Sequence, residues 1–308
     1  MKFRAKHFLT GVELDHQELE DVLEFADQLK MERDSGKTRT DLQHKQVALL
    51  FEKPSLRTRV SFTVAVQELA GNVIELVSSN RKKEEPEDTI RVLEGYVHAT
   101  MVRTFEHGVL DKMAQFSKGA LINGLSDSHH PCQALADLLT LKQEFKKIKG
   151  LKLAYVGDGN NVLHSLLLLA PFLGVEVSYA CPKGYEPNSF IVKQAKVRAK
   201  EGGGKVSGFV DPVAAVKGAH AIYTDVWTSM GQEDEGGDRD QIFADYQINE
   251  DLYKHALSDA ILLHCMPMVR GKEITDQMVE HPKSRLFQQS ENRLHAQKAL
   301  LVGLMGNA

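Results

Sequence analysis

Cysteine is scarce in this chain. Three in 308 residues make no disulfide framework and point to a reducing compartment. Long apolar runs are missing too. The most apolar stretch, 165–170, is cut off by Pro171 well short of the roughly 18 residues that a membrane span needs. Neither sign of charge dominates: 38 Lys and Arg stand against 42 Asp and Glu, a formal charge of −4. That balance gives no reason to expect nucleic acid or an anionic membrane as the main partner. Residues 1–7 are basic but lead into no apolar core, so no targeting segment is expected. No repeat of 20–50 residues is evident. Secreted, integral-membrane and collagen-like classes are excluded, and a soluble, cytoplasmic, two-domain protein is expected.

What is present is ordinary globular material, 42% hydrophobic and 26% charged. At about 100–200 residues per domain, the length suggests two domains. Asp15, followed three residues later by Glu18, predicts a capping box opening a helix in which Leu19, Val22, Leu23, Ala26 and Leu29 recur at helical period. The polar stretch 32–43 reads as a loop. Beyond it, short apolar runs bounded by Gly, Asn or Asp predict buried strands at 47–51, 73–77, 99–102, 120–122, 153–156, 175–179, 221–223 and 260–263. Amphipathic stretches at 59–69, 132–145, 161–172 and 187–200 predict helices between them. Such alternation predicts an α/β fold: two doubly wound parallel-sheet domains with helices on both faces. The polar run 146–150 places their boundary near 145, giving domains 1–145 and 146–289.

Ligands of open parallel sheets bind beyond the carboxyl ends of the strands, so the segments that follow each strand carry the functional information. After the first comes Ser55-Leu56-Arg57-Thr58-Arg59, behind Pro54. Ser55 is expected to be the helix N-cap. Backbone N–H groups, two hydroxyls and the Arg57 guanidinium at one helix start suit a doubly charged anion. An ordinary capped helix with solvated arginines is the bland alternative, and the packing of Ser, Arg, Thr and Arg into five residues speaks against it. Arg103, at the end of the third strand, reads equally as a crevice residue or a surface salt bridge. His130 and Gln133, around Pro131 at the next helix start, suit a small group bearing a carbonyl and an NH₂, or else are a cap and a solvated amide. His129, His130 and Cys132 match no standard zinc spacing, and no metal is expected.

The loop 157–162 lies where a dinucleotide fingerprint would begin. Val162 stands at its third glycine position, and no acidic residue ends the next strand, so no nicotinamide cofactor is expected. Asn160 and Asn161 remain as recognition groups or turn residues. The stretch 224–231, with Asp225, the only Trp (Trp227), Ser229, Met230 and Gly231, reads as a polar lid with a glycine hinge or as a solvated connector. Cys265 and Met266 end the last strand; a lone Cys is most often small buried packing, but this one sits beside a Pro turn at a strand end.

Taken together these segments resemble the carbamoyltransferases. Residues 55–59 resemble their Ser-x-Arg-Thr-Arg phosphate loop, and His130-Pro131-Cys132-Gln133 their His-Pro-x-Gln element. His264-Cys265-Met266-Pro267 resembles the His-Cys-Leu-Pro element of the ornithine branch, where the aspartate branch carries His-Pro-Leu-Pro. Asp225-Val226-Trp227 with Ser229-Met230-Gly231 is similar to the ornithine-binding loop, and 290–298 to the end of ornithine carbamoyltransferases. The likeness runs from Lys6 to the C-terminus. Met266 replaces the usual Leu, a swap of similar volume. The charged loop 78–89 departs further, because the family's Gln is not evident there.

The resemblance implies transfer of a carbamoyl group from carbamoyl phosphate to the δ-amino group of L-ornithine, giving L-citrulline and phosphate. It implies carbamoyl phosphate on Ser55, Leu56, Arg57, Thr58, Arg103, His130, Gln133, Cys265, Met266 and Arg293. Arg57, Arg103, His130 and Cys265 carry the catalysis. Ornithine falls to Asn161, Asp225, Ser229 and Met230, with Asp225 on the α-ammonium and Cys265 near the reacting amine. No cofactor and no metal are implied. The resemblance also implies a C-terminal helix at about 290–308 that returns to the first domain, and a homotrimer, or an assembly of trimers, with sites at subunit interfaces.

Overall fold

The computed structural model describes residues 2–77, 84–228 and 239–306. Ser229, Met230, the proposed hinge Gly231 and half of the charged loop 78–89 lie outside the described residues. The chain divides into two units, one of residues 1–139 and 291–308, the other of 140–290.

In the first unit β1 (His7–Phe8), α1 (His16–Asp34), β2 (Gln46–Phe51), α2 (Arg57–Glu68), β3 (Asn72–Val77), α3 (Pro86–Leu93), β4 (Ala99–Arg103), α4 (His107–Phe116), β5 (Ala120–Leu125) and α5 (Pro131–Phe145), which passes into the second unit at Thr140, follow in chain order. Among the described residues its five strands form one parallel sheet, ordered β1-β5-β4-β2-β3. The central strands are mostly apolar because both faces are covered: β4 is buried at all five positions, and β2 at all but Gln46. Edge strand β3 has no buried residue: three of its six positions are exposed and three are half-buried.

The second unit holds β6 (Lys152–Val156), α6 (Asn161–Leu169), β7 (Glu176–Ala180), α7 (Ser189–Gly202), β8 (Lys205–Phe209), α8 (Pro212–Val216), β9 (Ala221–Thr224), α9 (Arg239–Phe243), α10 (Glu250–Tyr253), β10 (Ile261–His264), α11 (Asp276–Val279) and the first turn of α12 (Leu286–Met305). Its strands are again all parallel, ordered β10-β9-β6-β7-β8. From Glu291 onward α12 belongs to the first unit. There the Gly303 carbonyl accepts from Phe3 N at 2.8 Å, and Lys298 pairs with Glu68 at 2.9 Å.

Two strands went unforeseen. β1 has only two residues, too few to show a period, and edge strand β8, Lys-Val-Ser-Gly-Phe, lacks the continuous apolar character of a buried strand. Pro171 ends the helix expected over 161–172 early, at Leu169, and a 3₁₀ turn follows at Pro171–Leu173.

In each sheet the chain winds outward in one direction and then in the other. The reversal falls between β2 and β4 in the first unit and between β6 and β9 in the second. Loops leaving the two strands beside such a switch point diverge and open a crevice at the carboxyl edge. β2 delivers 52–57 there and β4 delivers Arg103, which pairs in register with Phe51. β6 delivers 157–160, and β9 delivers Asp225.

The capping box at α1 is formed: the Asp15 side chain accepts from Glu18 N at 2.9 Å, and the Glu18 carboxylate accepts from Asp15 N at 3.0 Å. Asp15→Ala should lower the unfolding free energy by about 1 kcal/mol with the fold intact. Chemical denaturation followed by circular dichroism will measure that loss.

Candidate functional site

At the crevice of the first unit the Thr58 hydroxyl gathers two guanidinium groups. Arg103 Nη1 donates to Thr58 Oγ1 at 3.3 Å, and Arg293 Nη2 donates to the same oxygen at 2.6 Å. With both lone pairs so engaged, the hydroxyl has its hydrogen left to give. The other arm of Arg293 donates from Nη1 to Gln133 Oε1 at 3.3 Å, and Gln133 Nε2 donates to Asp137 Oδ1 at 2.8 Å. Thr58, Arg103, Gln133, Asp137 and Arg293 are all buried.

His130 joins this set. It is buried just before α5, and its pKa is held well below the usual imidazole value, first by burial and then by the positive charges of Arg293, Arg103 and Arg57. The ring is therefore neutral at physiological pH, and the field around it is positive. A neutral imidazole can give one N–H to an oxygen without adding charge.

The phosphate-loop segment differs from expectation in one respect. Ser55 is not the N-cap: α2 begins at Arg57, its cap residue is Leu56, and no side chain caps the helix. Ser55 stands one residue too early for its hydroxyl to reach the first turn. The N–H groups of that turn have no intrahelical acceptors, so the helix start keeps its donors and its positive dipole end for a ligand. Leu56 itself is 72% exposed and contributes backbone here, since its side chain faces away from the buried cluster.

The second unit assembles a different kind of site. Asp225, just past β9, is buried, and its carboxylate is held from three sides. Oδ1 accepts from Val226 N and from Cys265 Sγ, both at 2.8 Å; Oδ2 accepts from Asn160 Nδ2 at 2.7 Å. Asn160 is the N-cap of α6, and its Oδ1 accepts from Val162 N and Leu163 N. One amide thus ties the helix start after β6 to the carboxylate after β9, across the switch point. Asn161, the residue named from the sequence, is the first residue of α6, half-buried beside it.

Cys265 and Met266 leave β10 as expected, with Met266 at φ 61° and a cis Met266–Pro267 bond. Met266 N donates to His264 Nδ1 at 2.9 Å, so the ring proton is on Nε2, which donates to Glu273 Oε1 at 2.9 Å. Donor atoms of Asp225, His264 and Cys265 lie within 4.8 Å of one another. Both His264 nitrogens are already committed, which leaves that ring no lone pair for a metal.

A second buried pair braces the same region. Asp158, after β6, accepts from Arg239 Nη2 at 2.8 Å, while Arg239 Nε donates to the Trp227 carbonyl at 2.8 Å. Burial outweighs the Arg239 charge, and together with the neighbouring Asp225 it holds the Asp158 carboxyl up at about 6. Gly159 is explained by packing and not by a nucleotide: a Cβ there would lie 2.3 Å from Pro187 N, against backbone that cannot move aside.

Within the first unit the structure brings together Arg57, Thr58, Arg103, His130, Gln133 and Arg293, and within the second Asp225, Cys265 and, beside them, Asn161. Sequence reading missed Asn160 as the partner of Asp225, Asp137 behind Gln133, and Arg239. Only Asp137 left a local signal, its i+4 spacing from Gln133. The other two depend on which loops the sheet order makes neighbours.

These sites correspond to known proteins. Residues 6–143 match the carbamoyl-P binding domain of the aspartate/ornithine carbamoyltransferases, and residues 149–304 match the Asp/Orn binding domain. An ornithine carbamoyltransferase of Anoxybacillus flavithermus is 46% identical over 308 residues, covering 99% of this chain and 98% of the relative. The solved structure of ornithine carbamoyltransferase from Pyrococcus furiosus superposes with a TM-score of 0.95 at 45% identity, covering 99% of this chain and 98% of that one. The enzyme of the same name from Gloeobacter violaceus gives 0.90 at 44% identity, covering 99% and 100%. With both halves matched and both switch-point clusters in place, the chain belongs to the aspartate/ornithine carbamoyltransferase family.

Proposed function

We propose that this protein is an ornithine carbamoyltransferase, moving the carbamoyl group of carbamoyl phosphate to the δ-amino group of L-ornithine to give L-citrulline and phosphate. The observation that carries this reading is the buried chain Arg103–Thr58–Arg293–Gln133, with neutral His130 beside it. It offers donors in number to a dianion, and next to them the Gln133 carbonyl oxygen as an acceptor for a carbamoyl N–H. The ornithine branch is supported by Asp225 with Cys265 and by the names of the relatives. The domain 1–145 expected from sequence, with the helix at about 290–308, would bind carbamoyl phosphate, and 146–289 would bind ornithine.

In this mechanism the start of α2 at Ser55, Leu56, Arg57 and Thr58, together with Arg103, holds the phosphate. Each charge-assisted bond contributes about 1.5–3 kcal/mol. Attack by the amine builds negative charge on the carbamoyl oxygen, which Arg103, His130 and the Thr58 O–H stabilise as fixed donors. The Gln133 carbonyl oxygen, held in place by Arg293, accepts from the nitrogen end. Asp225 takes the α-ammonium, and Cys265, whose thiol donates to Asp225, lies near the reacting amine and helps to position it; no covalent step passes through the sulfur. Asn161, Ser229 and Met230 take the α-carboxylate. The chemistry calls on no cofactor or metal, since orientation and electrostatics supply the rate.

Two wider readings belong to the same proposal. The assembly is a homotrimer or a set of trimers with sites completed at subunit interfaces, for which the exposed apolar side chains of Leu56 and Val60 beside the phosphate loop offer a surface. The enzyme is cytoplasmic and acts in arginine metabolism; none of the described helices is long and apolar enough to cross a membrane.

Steady-state assays with carbamoyl phosphate and a panel of acceptors should yield citrulline from L-ornithine; product from putrescine or a modified ornithine, with none from ornithine, would reassign the acceptor. Arg57→Ala should abolish measurable carbamoyl phosphate binding, and calorimetry that finds the affinity retained would remove the phosphate assignment. Asp225→Ala should lose ornithine affinity while carbamoyl phosphate still binds; equal loss of both would contradict the division of labour. Because His130 is held well below 6.5, it is already neutral through that range. The pH profile of kcat/KM for carbamoyl phosphate should therefore show no imidazole inflection near 6.5 that His130→Gln removes.

A further inference from the structure

Asp137 has no role in the mechanism above, yet it is fully buried one helical turn beyond Gln133, at the inner end of the hydrogen-bonded chain. Its chemistry constrains that amide. Arg293 can only donate, so the Gln133 atom facing it at 3.3 Å must be the carbonyl oxygen. A carboxylate accepts, so the atom facing Asp137 at 2.8 Å must be the NH₂. The flip of the Gln133 amide is therefore chosen twice, by two partners that agree. The shorter bond, made within one helix at i and i+4, is the one to Asp137. Turning the amide over would set NH₂ against the guanidinium and oxygen against the carboxylate, both repulsive.

The fixed flip has a consequence for substrate choice. An amide oxygen has two lone pairs, and Arg293 uses one. The other can accept from an N–H, which a carbamoyl group has and an acetyl group lacks. We propose that Asp137 is a positioning residue that locks Gln133 with its carbonyl oxygen toward the amino end of the carbamoyl group, and that this lock makes the site prefer carbamoyl phosphate over acetyl phosphate and other acyl phosphates. This rests on the carbamoyl phosphate assignment made above. A site built around one acceptor rejects an isosteric ligand without the matching donor, because the acceptor is then buried unpaired. Without Asp137 only the longer Arg293 contact selects the flip, and an amide that presents NH₂ to the ligand forfeits the preference.

The test is equilibrium binding of carbamoyl phosphate, acetyl phosphate and inorganic phosphate to the full-length protein. Wild type should prefer carbamoyl over acetyl phosphate by about tenfold or more. In Asp137→Ala that preference should fall by about tenfold, with inorganic phosphate affinity within about twofold of wild type. Asp137→Asn, which keeps an acceptor oxygen for Gln133 Nε2, should retain the preference. On a Gln133→Leu background, Asp137→Ala should change the preference no further, an outcome that a purely structural role for Asp137 does not produce. Should Asp137→Ala fail to fold, Asp137→Ser shortens the reach in the same way and carries the same expectation. An unchanged preference in the folded variant, or parallel loss of inorganic phosphate, overturns the assignment of Asp137. A wild type that does not distinguish the two acyl phosphates overturns it together with the carbamoyl reading, and the two failures are thereby told apart.

Discussion

One hydroxyl between two guanidiniums organises the first unit. Thr58 lies in the first turn of α2, Arg103 at the end of β4 and Arg293 in α12, and none is near another in sequence except through the fold. Bringing two cations to one neutral oxygen costs Coulomb energy, and burial raises that cost. Such an arrangement makes sense where a doubly charged anion completes it. The depressed basicity of His130 follows from the same field, since desolvation and three arginines all act against a further positive charge. The return of α12 to the first unit is consequently part of the site and not only of the fold.

The second unit solves the opposite problem. A buried carboxylate, Asp225, must be aimed, and it is held by a backbone N–H, a thiol and an amide. Asn160 caps α6 with its oxygen and grips Asp225 with its nitrogen, so a side chain that reads as turn punctuation carries a site residue. Behind it, Asp158 and Arg239 link the end of β6 to the Trp227 carbonyl. His264 is likewise spent on position: its two nitrogens join Met266 N to Glu273 and fix the path of the chain just after Cys265. Much of the polar chemistry at both strand-end clusters is thus spent on orientation.

Residue patterns along the chain determined the α/β class and the central strands, because period and apolar runs are local properties. They also gave the capping box of α1, made entirely within four residues. They misplaced the cap of α2 by one position, and could not see two-residue β1 or exposed edge strand β8, where the burial that writes a strand pattern is absent. Only the tertiary structure decided that Arg103 is a buried partner of Thr58 and not a surface ion pair, that Asn160 holds Asp225, and that Asp137 dictates the flip of Gln133. Those outcomes depend on strand order, which sets the loops of β2 and β4, and of β6 and β9, side by side. Sheet order is a long-range packing result that no window of sequence contains.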